Sequence, residues 1–316
     1  MKALITGING FAGSYLAQYL IQKNYKVFGL IQPKTDIKNL NDIKSKIKFV
    51  PIDLIDKPKV EKYISLVKPN KIFHLAGISS VKESADFAYK AFEVNFFGTL
   101  NIFEAVRKLK LKSRIILVSS AEVYGENLEK EVANEQTSCR PINHYASSKL
   151  CAETIALSYI KNEGIDAVII RPGNHIGPRQ SERFFVPTVA KQIAQIAAKK
   201  NPPVIYLGNL NVKRDFTDVR DIVKAYILVA EKGKTGGIYN VCSGKTILLK
   251  DIVKMFIEIA KVKVKIITKK SEYRKFEAKN FLLDCSKIKR TLNWRPDFSI
   301  EESILDIYNY YLDQVS

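Results

Sequence analysis

The first half of the chain alternates short apolar runs with longer stretches in which apolar residues recur at helical spacing. Residues 2–6 read as a strand, residues 14–23 as a helix and residues 25–31 as a second strand. The same rhythm predicts further strands at 47–52, 71–75, 114–119 and 167–171, and helices at 57–67, 92–108 and 145–162. Such alternation is typical of a doubly wound parallel sheet, so we expect an α/β Rossmann fold.

The pattern loosens after Pro172. It predicts helices at 185–200, 221–232, 251–260 and 300–311, and short strands at 204–207 and 237–241. These elements are too mixed for an independent large domain. We therefore expect a Rossmann domain over 1–172, to which part of 208–242 returns, and a smaller interleaved lobe over 173–316. The cleft between them is the expected ligand site.

Composition excludes several classes of protein. With 316 residues, of which 46% are hydrophobic, the chain can bury a large core, and general disorder is excluded. There is no apolar run of about 18 residues and no pattern of a secretory signal. Four scattered cysteines fit a reducing cytoplasm, and neither they nor the three histidines have metal-site spacing, so we expect no metal.

The chain is strongly basic, with 51 Lys and Arg against 32 Asp and Glu, a formal net charge of +19. A basic surface favours polyanions such as nucleic acids. A lysine-rich composition with solvated side chains gives the same balance. Charge alone therefore leaves the function open.

Three glycines mark the first turn of the predicted sheet. Gly7, Gly10 and Gly13 form G-x-x-G-x-x-G between a strand and a helix. This context predicts a dinucleotide site, because the backbone can approach a pyrophosphate that lies at the helix N-terminus. Asp53, which follows the third strand, either accepts the adenine amino group or is an ordinary loop carboxylate.

The end of the second strand bears on which dinucleotide binds. An acid there would hold the ribose hydroxyls of NAD, whereas a basic residue would favour the 2′-phosphate of NADP. No acid occurs before Asp36, and Lys34 is close by. The sequence therefore favours NADP, with NAD left open.

A candidate catalytic group follows further along the chain. Tyr145 and Lys149 form Y-x-x-x-K at the start of a predicted helix, a spacing that places both side chains on one face. We expect the lysine to lower the pKa of the tyrosine, which would make the phenol a usable acid or base. Ser120 ends a predicted strand, where its hydroxyl could bind a carbonyl oxygen beside the tyrosine.

Several motifs together resemble the extended short-chain dehydrogenase/reductase family, in its nucleotide-sugar branch. The resemblance extends over essentially the whole chain, with the motifs in the expected order. The matching stretches are Thr6 to Gly13, His74 to Gly77, Asn95 to Thr99, Ser119 to Gly125, Tyr145 to Lys149, Arg171 to Pro178, Arg214 to Asp221 and Asn293 to Pro296.

The resemblance implies a Rossmann domain that binds NAD(P), a lobe that binds a nucleoside-diphosphate sugar, and Ser120, Tyr145 and Lys149 as catalytic residues. The implied cofactor-binding residues are Gly7, Asn9, Gly10, Phe11, Gly13, Asp53, Leu54, Leu75, Ala76, Gly77, Tyr145 and Lys149. The implied substrate-binding residues are Ser120, Glu122, Asn174, Val186, Lys191, Asn209, Arg214, Arg274 and Glu277.

Within this branch, one pair of residues separates the chemistries. The 4,6-dehydratases carry Asp-Glu after the catalytic hydroxyl, but this chain has Ala121-Glu122. Without the first carboxyl, the leaving hydroxide lacks its acid, which argues against a dehydratase. Glu122 alone is either a base or a structural carboxylate.

The later motifs most resemble GDP-4-dehydro-6-deoxy-D-mannose reductases, which use a nicotinamide to reduce the C4 ketone of a GDP-sugar and give a GDP-6-deoxyhexose such as GDP-D-rhamnose. Two positions depart from that pattern. Gly173 stands where phenylalanine is usual, and Arg179 stands where glycine is usual. Lys275 also replaces the usual proline after Arg274.

Three other functions stay open. A nucleotide-sugar 4-epimerase uses the same triad and keeps NAD bound, a GDP-mannose 4,6-dehydratase is less favoured, and a dinucleotide-sensing binding protein is the non-enzymatic alternative. The resemblance also implies a homodimer in which helices 92–108 and 145–162 form a four-helix interface. Their apolar faces could equally be buried within one subunit.

Overall fold

The computed structural model describes residues 1–269 and 281–315. In chain order, the strands of these residues are β1 (Lys2–Thr6), β2 (Lys26–Ile31), β3 (Ile47–Pro51), β4 (Lys71–His74), β5 (Arg114–Val118), β6 (Ala167–Pro172), β7 (Asn174–Ile176), β8 (Val204–Leu207), β9 (Lys213–Asp218), β10 (Ile238–Val241), β11 (Thr246–Leu248) and β12 (Lys265–Thr268). The α-helices are α1 (Phe11–Gln22), α2 (Lys57–Val67), α3 (Val81–Asp86), α4 (Ala88–Phe92), α5 (Gly98–Lys108), α6 (Asn127–Lys130), α7 (His144–Glu163), α8 (Phe185–Ala197), α9 (Val219–Lys232), α10 (Leu249–Ala260), α11 (Ser286–Leu292) and α12 (Ile300–Val315).

A seven-stranded parallel sheet forms the centre of the molecule. Its strand order is β10-β6-β5-β4-β1-β2-β3. Strand β1 pairs with β2 on one side and β4 on the other, so the order of the chain reverses between β1 and β4. In sheets of this kind, ligands bind beyond the carboxyl ends of the strands at that reversal. The predicted α/β Rossmann fold is confirmed.

Side chains on the two faces of the sheet fill two separate cores. Leu4 and Ile72 pack on one face with Phe103 of α5, while their neighbours Ile5 and Phe73 pack on the other. Because successive side chains of a strand point to opposite faces, a strand covered on both sides must be apolar throughout. This explains the uninterrupted apolar runs that mark β1, β4 and β5.

The second lobe has its own core, formed mainly by α8, α10 and α12. Between these helices the chain returns to the large sheet, where β10 pairs in parallel with β6. Strand β9 lies between β7 and β11 in a small mixed sheet, and β8 pairs with β12. The division into domains 1–172 and 173–316 remains a prediction.

Some elements differ from the sequence prediction. The predicted helix 92–108 begins earlier, at Ala88, and is interrupted by a π-helical turn over Glu93–Phe97. The short strands β7, β9, β11 and β12 and a 3₁₀ segment at Lys38–Lys46 were not predicted. None of the helices in the described residues is long and apolar enough to span a membrane.

Candidate active site

The glycine turn between β1 and α1 is built for close backbone approach. Gly7 has a φ of +70°, and its N–H donates to the Leu30 carbonyl oxygen at 2.8 Å. A Cβ on Gly13 would lie 2.2 Å from the Gly7 oxygen, which no side chain can tolerate. Gly10 caps α1, whose first turn carries no acidic residue. The N-terminus of α1 is therefore suited to a phosphate group.

A cavity of about 240 Å³ adjoins this turn at the sheet reversal. Five of the predicted cofactor-binding residues line it, namely Gly7, Asp53, Leu54, Ala76 and Gly77. One Asp53 carboxylate oxygen accepts the Ile55 N–H at 3.2 Å. The cavity and the glycine turn, which share Gly7, form one continuous region at the predicted dinucleotide site.

Three other predicted cofactor-binding residues contact neighbouring segments of the chain. The Asn9 amide donates to the Thr35 hydroxyl at 3.0 Å and to the Asp36 carbonyl oxygen at 2.8 Å, which fixes the segment after β2. The Phe11 ring stacks on His175, with centroids 5.7 Å apart. Leu75 packs partly buried against the core. Direct cofactor contacts by these three remain predictions.

Ser120, Tyr145 and Lys149 come together at the carboxyl end of β5. Tyr145 stands in the first turn of α7, and the Asn143 carboxamide oxygen caps this helix by accepting the Ala146 N–H at 2.8 Å. The Ser120 hydroxyl is close enough to the phenol of Tyr145 to act on its pKa as a hydrogen-bond partner. One turn later, the Lys149 ammonium donates to the Val118 carbonyl oxygen at 2.9 Å. All three side chains are buried.

Burial governs the protonation of this group. It raises the pKa of Tyr145 to about 12, although the bond from Ser120 acts in the opposite direction. It lowers the pKa of Lys149 to about 8, against the attraction of Glu153. The net pKa of Tyr145 is raised, so the expected lowering by Lys149 does not prevail. Loss of hydration dominates, and the ammonium is engaged by Val118.

A buried ion pair connects α7 to the large sheet. The Arg171 guanidinium donates to the Glu153 carboxylate at 2.6 Å, and both side chains are buried. Arg171 also donates to the Tyr124 hydroxyl at 3.0 Å. Glu153 lies one turn after Lys149, so this pair ties the face of α7 that carries Tyr145 and Lys149 to β6.

The sequence analysis missed the role of Asn95. Its carboxamide oxygen accepts the Ile78 N–H at 2.8 Å, and its NH₂ donates to the Ser148 hydroxyl at 2.8 Å. Asn95 therefore connects the loop after β4 to α7. The π-helical turn around it rotates this residue within the helix. Its presence in a motif of the resemblance was the signal that could have identified it.

His74 is part of a hydrogen-bonded chain at the end of β4. Its Nε2 lies 2.9 Å from the Thr99 hydroxyl, which itself donates to the Asn95 carbonyl oxygen. Nε2 must therefore carry the proton, and Nδ1 accepts from the Thr6 hydroxyl at 2.7 Å. Burial lowers the pKa of His74 to about 3, so the ring is neutral.

Residues 121 and 122 have different surroundings. Ala121 is fully buried in the hydrophobic core. The Glu122 carboxylate accepts from the Asn143 carboxamide at 3.2 Å, and Asn143 in turn caps α7. Glu122 thus braces the start of the helix that carries Tyr145.

The predicted substrate residues lie on several elements of the second lobe. Asn174 on β7 donates to the Asp215 carbonyl oxygen at 3.3 Å, which links it to β9, the strand that carries Arg214. Lys191 on α8 is paired with Glu182 at 2.7 Å. Their contacts with a substrate remain predictions.

The other predicted substrate residues differ in accessibility. Asn209 lies on the loop between β8 and β9, where its side chain accepts the Asn211 N–H. The Val186 side chain is buried in the core of the second lobe, 2% exposed. Arg274 and Glu277 lie outside the described residues.

The two unusual positions have structural explanations. A Cβ on Gly173 would contact Leu283 at 3.4 Å and Cys242 at 3.5 Å, so these side chains take up the space into which a larger residue would extend. Arg179 has a φ of +71°, a conformation that favours glycine. Its side chain stacks on the Tyr15 ring at 3.9 Å.

The sequence profile of the GDP-mannose 4,6-dehydratase family matches residues 4–307. The chain belongs to this family. It is 27% identical over 323 residues to the GDP-6-deoxy-D-mannose reductase of Pseudomonas aeruginosa, a match that covers 99% of this chain and 98% of the relative.

Solved structures of this family and its neighbours have the same fold. RMD from Pseudomonas aeruginosa complexed with NADPH matches with a TM-score of 0.87 at 28% identity over 99% of both chains. UDP-glucose 4-epimerase of Thermotoga maritima, solved with UDP-glucose, matches with a TM-score of 0.91 at 26% identity over 100% of both. The predicted membership in the nucleotide-sugar branch of short-chain dehydrogenases/reductases is confirmed. Backbone similarity does not separate reductase from epimerase, and local chemistry must do so.

Proposed function

We propose that the protein reduces the C4 ketone of a GDP-4-keto-6-deoxyhexose to a GDP-6-deoxyhexose of the GDP-D-rhamnose type, with NADPH or NADH as reductant. The full-length similarity to the GDP-6-deoxy-D-mannose reductase supports this substrate class. The NADPH in the solved RMD structure supports the cofactor class. Nothing in the proposal requires a metal.

The observation that carries the proposal is the placement of Ser120, Tyr145 and Lys149 together at the carboxyl end of β5, with the Lys149 ammonium next to Gly77 of the cavity. With a pKa of about 12, the phenol of Tyr145 keeps its proton at neutral pH. Reduction of a ketone needs a proton donor for the developing alkoxide, which this state provides.

The chain supplies binding, orientation and the proton. The glycine turn and the cavity beside it would hold the dinucleotide, whose nicotinamide supplies the hydride when bound. Ser120 and Tyr145 would bind the C4 oxygen, and Tyr145 would transfer its proton to that oxygen. Lys149, fixed by Val118, contributes positive charge next to Gly77.

Ala121 distinguishes this proposal from dehydration. Elimination of water needs an acid for the leaving hydroxyl, and a buried alanine in the core cannot supply one. The neighbouring carboxylate of Glu122 is engaged with Asn143. The arrangement therefore favours proton delivery by Tyr145 alone.

The test is to incubate the protein with NADPH or NADH and a panel of GDP-, dTDP-, UDP- and CDP-4-keto-6-deoxy sugars, while following nicotinamide absorbance. We expect stoichiometric oxidation of the cofactor with the GDP-sugar and a 4-hydroxy product by NMR. Tightly bound NAD after purification, with sugar interconversion in the absence of reductant, would establish the epimerase instead. Release of water from GDP-mannose would establish the dehydratase.

We also propose a homodimer in which α5 and α7 of each subunit form a four-helix interface. These helices pack side by side, and large apolar side chains remain exposed on or beside them. Phe97 is 49% exposed, Leu157 is 37% exposed, and Tyr89, just before the π-helical turn, is 84% exposed. Exposed apolar side chains of this size commonly mark protein interfaces.

A further inference from the structure

Arg179 connects the start of the second lobe to the helix that follows the glycine turn. Its guanidinium donates to the Gln18 side chain at 3.0 Å and to the Asn39 carbonyl oxygen at 3.3 Å, and lies 3.9 Å from the centre of the Tyr15 ring. The Tyr15 hydroxyl donates in return to the Pro178 carbonyl oxygen at 3.2 Å. We call Arg179, Tyr15, Gln18 and Asn39 the Arg179 latch.

Further contacts connect the Arg179 latch to both predicted ligand regions. On one side, the Asn39 carboxamide donates to the Asn9 carbonyl oxygen at 3.1 Å, within the glycine turn. On the other side, Arg179 follows β7, and Asn174 of that strand bonds to the backbone of β9 beside Arg214. A short path of direct contacts therefore joins the glycine turn to the first strand of the second lobe.

Arg179 shares its left-handed backbone with other residues of this chain, such as Lys199, but it combines that backbone with side-chain contacts to another element. A left-handed conformation has a steric cost for a residue with a side chain, and glycine would avoid that cost. Strained residues of this kind persist where surrounding contacts fix them, and they cluster at functional sites. Here the guanidinium provides those contacts, two hydrogen bonds and a stacking interaction with an aromatic ring.

We propose that Arg179 is a positioning residue that couples the two binding regions, so that a dinucleotide bound at the glycine turn raises the affinity of the second lobe for the sugar nucleotide. This rests on the proposed function, which assigns these two ligands. A bound pyrophosphate orders the turn and α1. Through the Arg179 latch, ordering of α1 also restrains residues 174–179. The protein then loses less conformational entropy when the second ligand binds.

The first test follows amide hydrogen exchange of residues 174–180 as NADP⁺ is added, without any sugar nucleotide. In the wild type, we expect NADP⁺ to slow exchange in this segment. In Arg179→Gly, the slowing should be confined to the glycine turn and α1. Arg179→Ala keeps a Cβ, and with it the strain of the left-handed backbone, but it lacks the guanidinium. If the guanidinium contacts carry the effect, Arg179→Ala should behave like Arg179→Gly.

The matched control is Lys199→Gly. Lys199 is exposed after α8 and has a φ of +57°, so this change relieves the same backbone conformation without touching α1. It should leave the response of residues 174–180 as in the wild type. A purely structural role for Arg179 would change baseline exchange in both the free and bound states but not the response to NADP⁺.

The second test measures the Kd of GDP by calorimetry with and without saturating NADP⁺. We expect NADP⁺ to tighten GDP binding at least about 5-fold in the wild type and in Lys199→Gly, the lower end of typical coupling. In Arg179→Gly, the two Kd values should agree. Full coupling in Arg179→Gly, or an unchanged exchange response, overturns the latch. Failure of GDP to bind the wild type overturns the proposed substrate instead, and the exchange experiment still decides the latch.

Discussion

The pKa values of Tyr145 and Lys149 are both moved far from their ordinary values, in opposite directions, because burial favours the neutral form of each side chain. Burial keeps the phenol protonated and weakens the hold of Lys149 on its proton. A dinucleotide with its phosphates and ribose would bring polar groups into this buried space. At neutral pH the phenol of Tyr145 therefore carries the proton that reduction of a ketone would consume.

Removing the Tyr145 hydroxyl gives the most direct test at this scale. Tyr145→Phe should reduce turnover about 10²- to 10⁴-fold, because the C4 oxygen loses its proton donor. Binding of NADP⁺, followed by calorimetry, should change little. Tyr63→Phe, at a buried tyrosine of α2, is the control and should retain wild-type turnover. Near-normal activity of Tyr145→Phe would refute the assignment.

His74 predicts a specific acid sensitivity. Its pKa is about 3 in the folded protein against 6.5 for the free side chain, so only the unfolded chain binds the proton between these values. Stability should therefore fall as pH drops below 6.5, by about 1.4 kcal/mol per unit from this group. Denaturant unfolding at pH 7 and 4.5 should show a smaller loss in His74→Gln than in the wild type. Equal losses would contradict a neutral buried imidazole.

Helix ends in this protein often use lysine where other chains use glycine. Lys68 and Lys261 form the left-handed C-caps of α2 and α10, with φ values of +45° and +53°. Glycine is the usual residue at such a terminus because it adopts this conformation without a steric cost. These helix ends are therefore less stable than they would be with glycine at the two C-cap positions.

Lys261→Gly should stabilise the protein by about 0.5–1 kcal/mol, because relief of the left-handed conformation exceeds the extra flexibility of glycine when unfolded. Lys254→Gly, at an exposed position inside the same helix, should have the opposite effect and destabilise by about 1 kcal/mol. Chemical denaturation of the three proteins gives both differences. The same sign for both variants would exclude the conformational explanation.

Sequence patterns predict most clearly the elements whose side chains all lie in the same kind of environment, such as the buried core. Strands β1 and β4 are buried on both faces and read as plain apolar runs, so they were predicted within one residue. Strand β9 reads Lys-Arg-Asp-Phe-Thr-Asp, and its burial depends on distant partners. Asp215, for example, accepts hydrogen bonds from Ser243 and Gly244. Such a strand has no local apolar signal.

The candidate site was predictable to the extent that its residues stand in motifs. Ser120, Tyr145 and Lys149 were expected at one place and lie together. The interaction of Arg179 with Tyr15 joins residues 164 positions apart, and no spacing rule connects them. The pKa of Tyr145 also depends on burial, which only the folded chain defines.

At the scale of the whole molecule, the cavity beside the glycine turn lies where the order of the sheet reverses. The net charge of +19 accords with two anionic diphosphate ligands, yet many lysines are remote from the cavity. Lys59 and Lys108, for instance, form surface ion pairs with Asp56 and Glu61 on and around α2. Most of the excess positive charge therefore lies on the solvated surface and gives no support to a nucleic-acid partner.

The proposed dimer makes a prediction about mass. Light scattering after gel filtration should give twice the chain mass for the wild type, and Phe97→Asp combined with Leu157→Asp should give one chain mass, because four charges would be buried at the interface. Leu66→Asp, at a leucine of α2 that is 77% exposed, should remain dimeric. A single-chain mass for the wild type, or a dimer of the double variant, would refute this interface.

The return of β10 to the large sheet has a consequence for how the protein is made. Strand β6 ends at Pro172, but its outer neighbour ends at Val241. A ribosome adding about 5–20 residues per second needs roughly 3–14 s to synthesise the intervening chain. Throughout that time, one edge of a nearly complete sheet lacks its partner strand, and unpaired edges promote aggregation. The nascent chain is therefore exposed during synthesis at the β6 edge, and a chaperone that covers β6 would protect it there.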